Sequence, residues 1–201
     1  IKGLVSFIDF NFVNDKRVFG QNGYIDGPSI FELPFSSYWG GFTNSTNFKG
    51  NFKLGYVNPN IPYQSLGFQF SYTNFSQGSD FGFNIHDVDQ KSIYANLVYN
   101  SIIGDTRHKI KTGFSFSYDK YDEFVDNLRI QNFDLDRKEY SYGGYFEYSY
   151  DDLDKINLSA GIRYDDHNII GGFLTPRLHL NYLIFSKTSL KISAGKGTRM
   201  A

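Results

Sequence analysis

The chain has 201 residues, a formal net charge of −1 and no cysteine, which excludes disulfides and thiolate metal sites within it. Its basic residues are spread singly along the sequence, which argues against nucleic-acid binding, because that function needs a clustered basic face. Aromatic residues make up 19% of the chain, and this content together with 20 glycines favours strands and turns over helices.

Nine strands are predicted in chain order, and no segment has the i, i+3, i+4, i+7 apolar spacing of an amphipathic helix. No apolar run approaches the roughly 18 residues that a transmembrane helix needs. The predicted strands cover residues 4–12, 46–57, 63–75, 91–101, 108–120, 138–150, 155–165, 173–185 and 188–198. Since no linker or break in composition separates them, the sequence predicts one all-β domain, an antiparallel up-and-down meander of long strands.

Most of the predicted strands alternate apolar and polar residues, as in "LGFQFSY" and "FLTPRLHLNYLIF". In the second stretch Leu174, Leu178 and Ile184 share one face, and Arg177 and His179 share the other. Two architectures fit this pattern. A soluble sandwich or barrel turns its apolar face inward, whereas a transmembrane barrel turns that face toward lipid.

The connections between strands favour the transmembrane barrel. Short and long connections alternate, which in a meander gathers all short turns at one end, as in outer-membrane barrels. The short ones are residues 58–62, 102–106, 151–154 and 186–187, and the long ones are about 13–45, 76–90, 121–137 and 166–172. Tyrosines and phenylalanines also gather near strand ends, as the aromatic girdles of such barrels require.

The last quarter of the chain, "LSAGIRYDDHNIIGGFLTPRLHLNYLIFSKTSLKISAGKGTRMA", resembles the barrel of a TonB-dependent outer-membrane receptor. The likeness extends to "SLGFQFSYTNFSQGSDFG" and "YANLVYNSIIGDTRHKIKTGFSFSYD". It implies a barrel of about 22 strands around an N-terminal plug, located in the outer membrane. Residues 1–201 are then expected to be a single segment of the transmembrane β-barrel domain, with the plug and the remaining strands missing and both ends being cuts.

The function implied by the resemblance is active uptake of a scarce ligand, such as a siderophore or another metal complex. The implied partners are outer-membrane lipid, the receptor's own plug, the energy-coupling protein TonB and the small-molecule or metal-complex ligand. Two other classes stay open. One is a small passive or structural outer-membrane barrel, and the other is a soluble β-rich carbohydrate-binding module whose exposed aromatic residues bind sugars.

The candidate site residues fall into two groups. Residues on the polar face are expected to line the lumen, where they contact the plug or the ligand path, or pair across strands with Glu147 or Asp165. These residues are Arg163, Arg177, His179 and Lys191. Aromatic residues of the predicted external loops are the expected ligand contacts. These residues are Trp39, Phe42, Phe75 and Phe81.

No catalytic residue, cofactor or metal site is predicted, so the sequence indicates a protein that is not an enzyme. The G-x-S-x-G motif does not occur, and "AGKGTR" lacks the spacing of a phosphate-binding loop. The run His86-Asp87-Val88-Asp89 offers a histidine and two carboxylates to a cation, but a solvated turn in a long loop is the simpler interpretation.

Overall fold

The computed structural model describes residues 2–22, 24, 39–82, 84–127, 131–185 and 187–197. These residues form ten strands and confirm the predicted all-β class. The strands are β1 (Leu4–Gly20), β2 (Gly40–Val57), β3 (Ser65–Phe81), β4 (Asn84–Ile103), β5 (Asp105–Asn127), β6 (Gln131–Asp134), β7 (Arg137–Asp151), β8 (Ile156–His167), β9 (Gly171–Phe185) and β10 (Thr188–Gly195). Among the described residues, no helix is long and apolar enough to cross a membrane.

All ten strands belong to one antiparallel sheet. Its order is β1-β2-β3-β4-β5-β7-β8-β9-β10, and the short β6 pairs with the end of β5. Apart from β6, neighbours in sequence are neighbours in space, as the predicted meander requires. Strands β1 and β10 make no contact with each other, so the described sheet is open and has two free edges.

The strands are longer than predicted, and the excess lies at one end of the sheet, which we call the upper end. The segment 76–90, predicted as a loop, is almost entirely strand, because β3 runs to Phe81 and β4 begins at Asn84. The segment 121–137 likewise consists mainly of β5, β6 and the start of β7. Both predictions of a long loop are wrong, and so is that of 166–172, because β8 runs to His167 and β9 begins at Gly171. Residues 13–20 and 40–45 of the predicted connection 13–45 are also strand, so the predicted alternation of short and long connections is not observed. In 76–90 and 121–137 polar residues occupy both faces, so the apolar periodicity ends before the backbone ladder does.

Directly opposed residues of an antiparallel pair point to the same side of the sheet, so the register assigns each strand residue to one of two faces. Rows of apolar side chains cross the outer face. One such row is Leu54, Phe68, Leu97 and Phe114. Polar side chains predominate on the opposite, inner face. The adjacent row there is Lys53, Gln69, Asn96 and Ser115.

The apolar outer face is not packed against any other part of the described chain. No hydrophobic residue among those described is buried, and Phe68, Phe114 and Leu178 are 37%, 50% and 41% exposed. By contrast, Ser115 and Asp165 on the inner face are only 4% and 5% exposed. The soluble sandwich predicts the reverse, a dry interior of apolar side chains, and no such interior forms within the described residues.

Candidate functional site

In the lower half of the inner face, Arg163 forms an ion pair with Asp165. Its Nε donates to Asp165 Oδ2 at 2.6 Å and its Nη2 donates to Ser115 Oγ at 2.6 Å. The Asp165 carboxylate lies against Gly143 of β7, where a Cβ would collide with it. The cluster therefore ties β5, β7 and β8 together, and it satisfies a buried charge that would otherwise be costly.

A second arginine crosses the neighbouring strand. Arg177 of β9 donates to Glu147 of β7, and its side chain passes over Gly161 of β8, which stands between them in the same row. A Cβ on Gly161 would lie 2.8 Å from Arg177 Nε, so the absence of a side chain makes this crossing possible. The ion pair spans three strands.

The four residues predicted to line the lumen all lie on the inner face. His179 Nδ1 is 3.0 Å from Ser193 Oγ of β10, and Lys191 is exposed opposite Asn181. Arg177 pairs across strands with Glu147, whereas Arg163 pairs with Asp165 of its own strand, β8. The structure thus brings these residues to one surface, and their contacts to a plug or a ligand path stay a prediction.

An ionic network crosses the upper part of the inner face, made by His86, Glu123, Arg137 and Glu139. His86 Nε2 lies 2.9 Å from Glu123 Oε1, and Arg137 donates to Glu123 at 3.0 Å and to Glu139 at 3.1 Å. The guanidinium also lies 4.0 Å from the ring centroid of Tyr121. This network joins β4, β5 and β7.

Glu123 is the centre of the ionic network. The hydrogen bond with His86 is the largest cause lowering the pKa of the Glu123 carboxyl; desolvation opposes it, and the contacts with Arg137 reinforce it. A carboxylate held by both partners stays ionised at neutral pH. It therefore fixes the positions of two basic side chains on this wall.

The run His86-Asp87-Val88-Asp89 lies within β4, not in a loop as predicted. Successive side chains on a strand alternate, so His86 and Asp87 point to opposite faces and cannot ligate one cation. Within the described part of the chain, no three His, Asp or Glu residues are grouped to hold a metal ion.

An aromatic cluster of Phe19, Trp39 and Phe81 caps the upper end of the inner face. The Phe19 ring centroid is 6.4 Å from that of Trp39 and 5.7 Å from that of Phe81. Reciprocal contacts hold Trp39 in place, because its backbone N–H donates to Gln21 Oε1 and its carbonyl accepts from the Gln21 N–H. Trp39 nevertheless remains 54% exposed, so part of this surface is open to a ligand.

The structure separates the four predicted ligand contacts. Trp39 and Phe81 belong to the aromatic cluster, and Phe75 lies lower on the inner face opposite Gln90. Phe42 lies on the outer face opposite Asp80. Phe42, Phe75 and Phe81 are strand residues and not loop residues, which corrects their predicted setting.

Sequence reasoning missed Phe19 and the ionic network. Phe19 lies inside the segment 13–45, where the polar run Asn14–Arg17 interrupts the apolar alternation of β1 and predicts a connection. His86 and Glu123 are 37 residues apart, and Glu123 and Arg137 are 14 apart. No local spacing rule joins residues at such separations.

Comparisons with known proteins agree on the kind of sheet. A family model described as TonB dependent receptor-like, beta-barrel, matches residues 4–201. No curated protein sequence matches the chain. Among solved structures, the chain is similar to the alcaligin outer membrane receptor FauA from Bordetella pertussis, with 13% identity and a TM-score of 0.65. The match covers 94% of this chain and 32% of that one, so the chain spans about a third of the length of that structure.

Proposed function

This chain belongs to the TonB-dependent receptor-like β-barrel family, and we propose that it is a segment of a receptor that takes up a scarce ligand across the outer membrane. The family is one of transport receptors in the outer membrane, not of enzymes. A siderophore or another metal complex is the proposed ligand. The similar structure, FauA, is described as an alcaligin receptor, which supports this ligand class without specifying the compound.

The observation that carries the proposal is the inverted burial of the sheet. Apolar side chains are exposed along the outer face, while Ser115 and Asp165 are buried on the inner face. In water such a sheet would expose its apolar face to solvent at a cost in free energy, whereas hydrocarbon covers that face without this cost. A lipid-facing outer side and a polar lumen are therefore the arrangement that these residues favour.

We propose that the ligand meets the upper inner face. The aromatic cluster offers exposed apolar surface, Phe75 adds a separate ring lower on the same face, and the ionic network adds charges of both signs. Aromatic surface with a few oriented polar groups is the usual composition of a small-molecule site. The lower inner face, with Arg163 and Arg177, is the proposed contact for the plug, and TonB would act through segments outside this chain.

Two observations weigh against the competing functions. A soluble carbohydrate-binding module needs a hydrophobic core, and none is present in the described residues. A small passive barrel needs its first and last strands to pair, whereas β1 and β10 do not touch. Both points favour a segment of a larger barrel.

Uptake by cells carrying the full-length receptor tests this function. Cells lacking the gene should lose uptake of at least one radiolabelled ferric complex, and dissipating the proton-motive force should abolish it in wild-type cells. Uptake that persists without the proton-motive force would indicate a passive barrel. Equal uptake of every complex tested, with and without the gene, would contradict the proposal.

The aromatic cluster can be tested in the same assay. Replacing Trp39 and Phe81 with alanine should lower ligand affinity about tenfold or more, because each truncation removes exposed aromatic surface from the site. The matched control is Phe42→Ala, which removes a similar ring from the outer face of the same upper region. Equal effects of both changes would show that the ligand does not bind the inner side.

A further inference from the structure

Three lysines stand side by side on the outer face. Lys91 of β4 is directly opposite Lys120 of β5, and Lys120 is directly opposite Lys138 of β7. Asn74 of β3 extends the same row, because it is directly opposite Lys91. Like charges directly opposed across strands destabilise a sheet, so this row calls for compensating negative charge.

The protein itself neutralises only the central lysine. Lys120 Nζ lies 2.5 Å from Asp122 Oδ2 on the same strand. The ammonium groups of Lys91 and Lys138 take part in none of the ion pairs or hydrogen bonds found in the described residues, and both side chains are exposed. Their strands flank β5, so their backbones are about 10 Å apart, within reach of one shared anion for two long side chains.

The position of the lysine row along the strands places it at the membrane surface. The next row down on the outer face is aromatic and aliphatic. It consists of Tyr72, Ile93, Tyr118 and Tyr140. A belt of tyrosines marks the boundary between hydrocarbon and water in membrane barrels. The lysines therefore lie one row beyond that boundary, at the level of the lipid headgroups.

Above the lysine row, farther from the tyrosine row, the outer face carries carboxylates. Asp89 and Asp122 form the next row toward the upper end, and the Asp136 carboxylate beside them accepts the Glu123 N–H at 3.2 Å. Asp89 makes no ion pair with Lys91, although the two share a face. A lipid that rises from the hydrocarbon layer meets the lysines before it meets these acids.

We propose that Lys91 and Lys138, with the Asn74 amide beside them, bind the phosphate of a lipid headgroup in the outer leaflet. This inference rests on the membrane placement in the proposed function. A lipid phosphate fits better than free phosphate, because the tyrosine row directly below gives acyl chains an apolar surface against the same site. The chemistry required of the ligand is an anionic phosphate ester attached to hydrocarbon.

The experiment uses the full-length receptor purified in a nonionic detergent. Binding of phosphatidic acid, diacylglycerol and inorganic phosphate is measured separately, with native mass spectrometry counting retained lipid. The test variant is Lys91→Gln/Lys138→Gln, and the matched control is Lys49→Gln/Lys111→Gln, which removes two positive charges from the inner face. A further variant, Lys91→Arg/Lys138→Arg, keeps both charges.

The proposal predicts that phosphatidic acid binds about 30-fold more weakly to the test variant, from the sum of two lysine contributions at a membrane surface. The inner-face control and the arginine variant should bind it like the wild type. Undiminished binding to the test variant overturns the proposal, as does diacylglycerol binding equal to that of phosphatidic acid. Lysine-dependent binding of inorganic phosphate alone overturns it as well, because the site is then not a lipid site.

This design separates the two proposals. A receptor that stays monomeric and soluble without detergent contradicts the membrane placement before any lipid is added. A receptor that needs detergent but holds no phosphatidic acid overturns the lysine site alone, and the proposed uptake function stands.

Discussion

The lower and upper parts of the inner face are built differently, although the same strands run through both. In the lower part, Arg163 and Arg177 each pair with a carboxylate while the outer face opposite them is apolar. In the upper part, the ionic network and the aromatic cluster lie on strands that carry polar residues on both faces. We interpret the lower part, where the outer face is apolar, as the part that spans the lipid. The strands and their hydrogen bonds continue above it into the upper part.

The two parts also differ in how much their charges matter to stability. The Asp165 carboxylate is 8% exposed and the Glu123 carboxylate of the ionic network is 19% exposed, whereas their arginine partners are about equally exposed. Water can therefore replace a lost contact more readily at Glu123 than at Asp165. The Asp165 pair should matter more for folding, and the upper part should govern ligand binding.

The largest expected effect is at Asp165. Asp165→Asn keeps the shape but removes the charge, and should cost about 2 kcal/mol, less than a fully buried pair because Arg163 is 40% exposed. Denaturant unfolding of the full-length receptor in detergent measures the cost. Asp154→Asn, at an exposed turn, should stay within about 0.5 kcal/mol of the wild type. Equal costs would refute the assigned role of the buried pair.

A somewhat smaller effect is expected at Gly161. Gly161→Ala places a Cβ against the Arg177 side chain and should cost about 1 kcal/mol, because Arg177 must shift from Glu147. The matched control is Gly144→Ala on the outer face, where the Cβ meets only the Gly113 carbonyl oxygen at 3.8 Å. The same unfolding measurement applies, and a control as destabilised as the test variant would count against the arginine crossing.

The smallest effect is a local one, at Glu123. Its carboxyl has a lowered pKa in the folded protein, so its stabilising contribution is complete above the unfolded value of about 4.3 and is lost as the pH falls through the lower folded value. The protection of the β6 amides from hydrogen exchange, measured relative to the intrinsic exchange rate at each pH, should therefore fall below about pH 4.

The Glu123 prediction has its own control pair. Glu123→Gln should lower the protection of the β6 amides at neutral pH too, because the bonds to His86 and Arg137 weaken at all pH values. Asp134→Asn, an exposed position on β6 itself, should keep the wild-type acid dependence. If both variants respond alike, the ionic network does not hold the upper hairpin.

The sequence predicts the lower part of the sheet well and the upper part poorly. The period-two alternation of stretches such as "FLTPRLHLNYLIF" predicted the strands of the lower part, their two faces and the inner position of Arg177. In the upper part, segments such as 76–90 lack an apolar face, so hydrophobic patterning predicts loops where the structure has strands. The contact of His86 with Glu123 depends on the register of two strands, which the sequence does not state.

The most direct test of the account is the solvent on each side of β9. The chain has no cysteine, so Leu178→Cys and His179→Cys each introduce a single labelling site within it, on opposite faces of adjacent residues. In the membrane-embedded receptor, a spin label at position 178 should be relaxed by lipid-soluble oxygen and shielded from a water-soluble nickel complex, and the label at 179 should not be exposed to lipid. A label at 178 that the nickel complex reaches, or one at 179 that contacts lipid, would contradict the proposed orientation of the sheet.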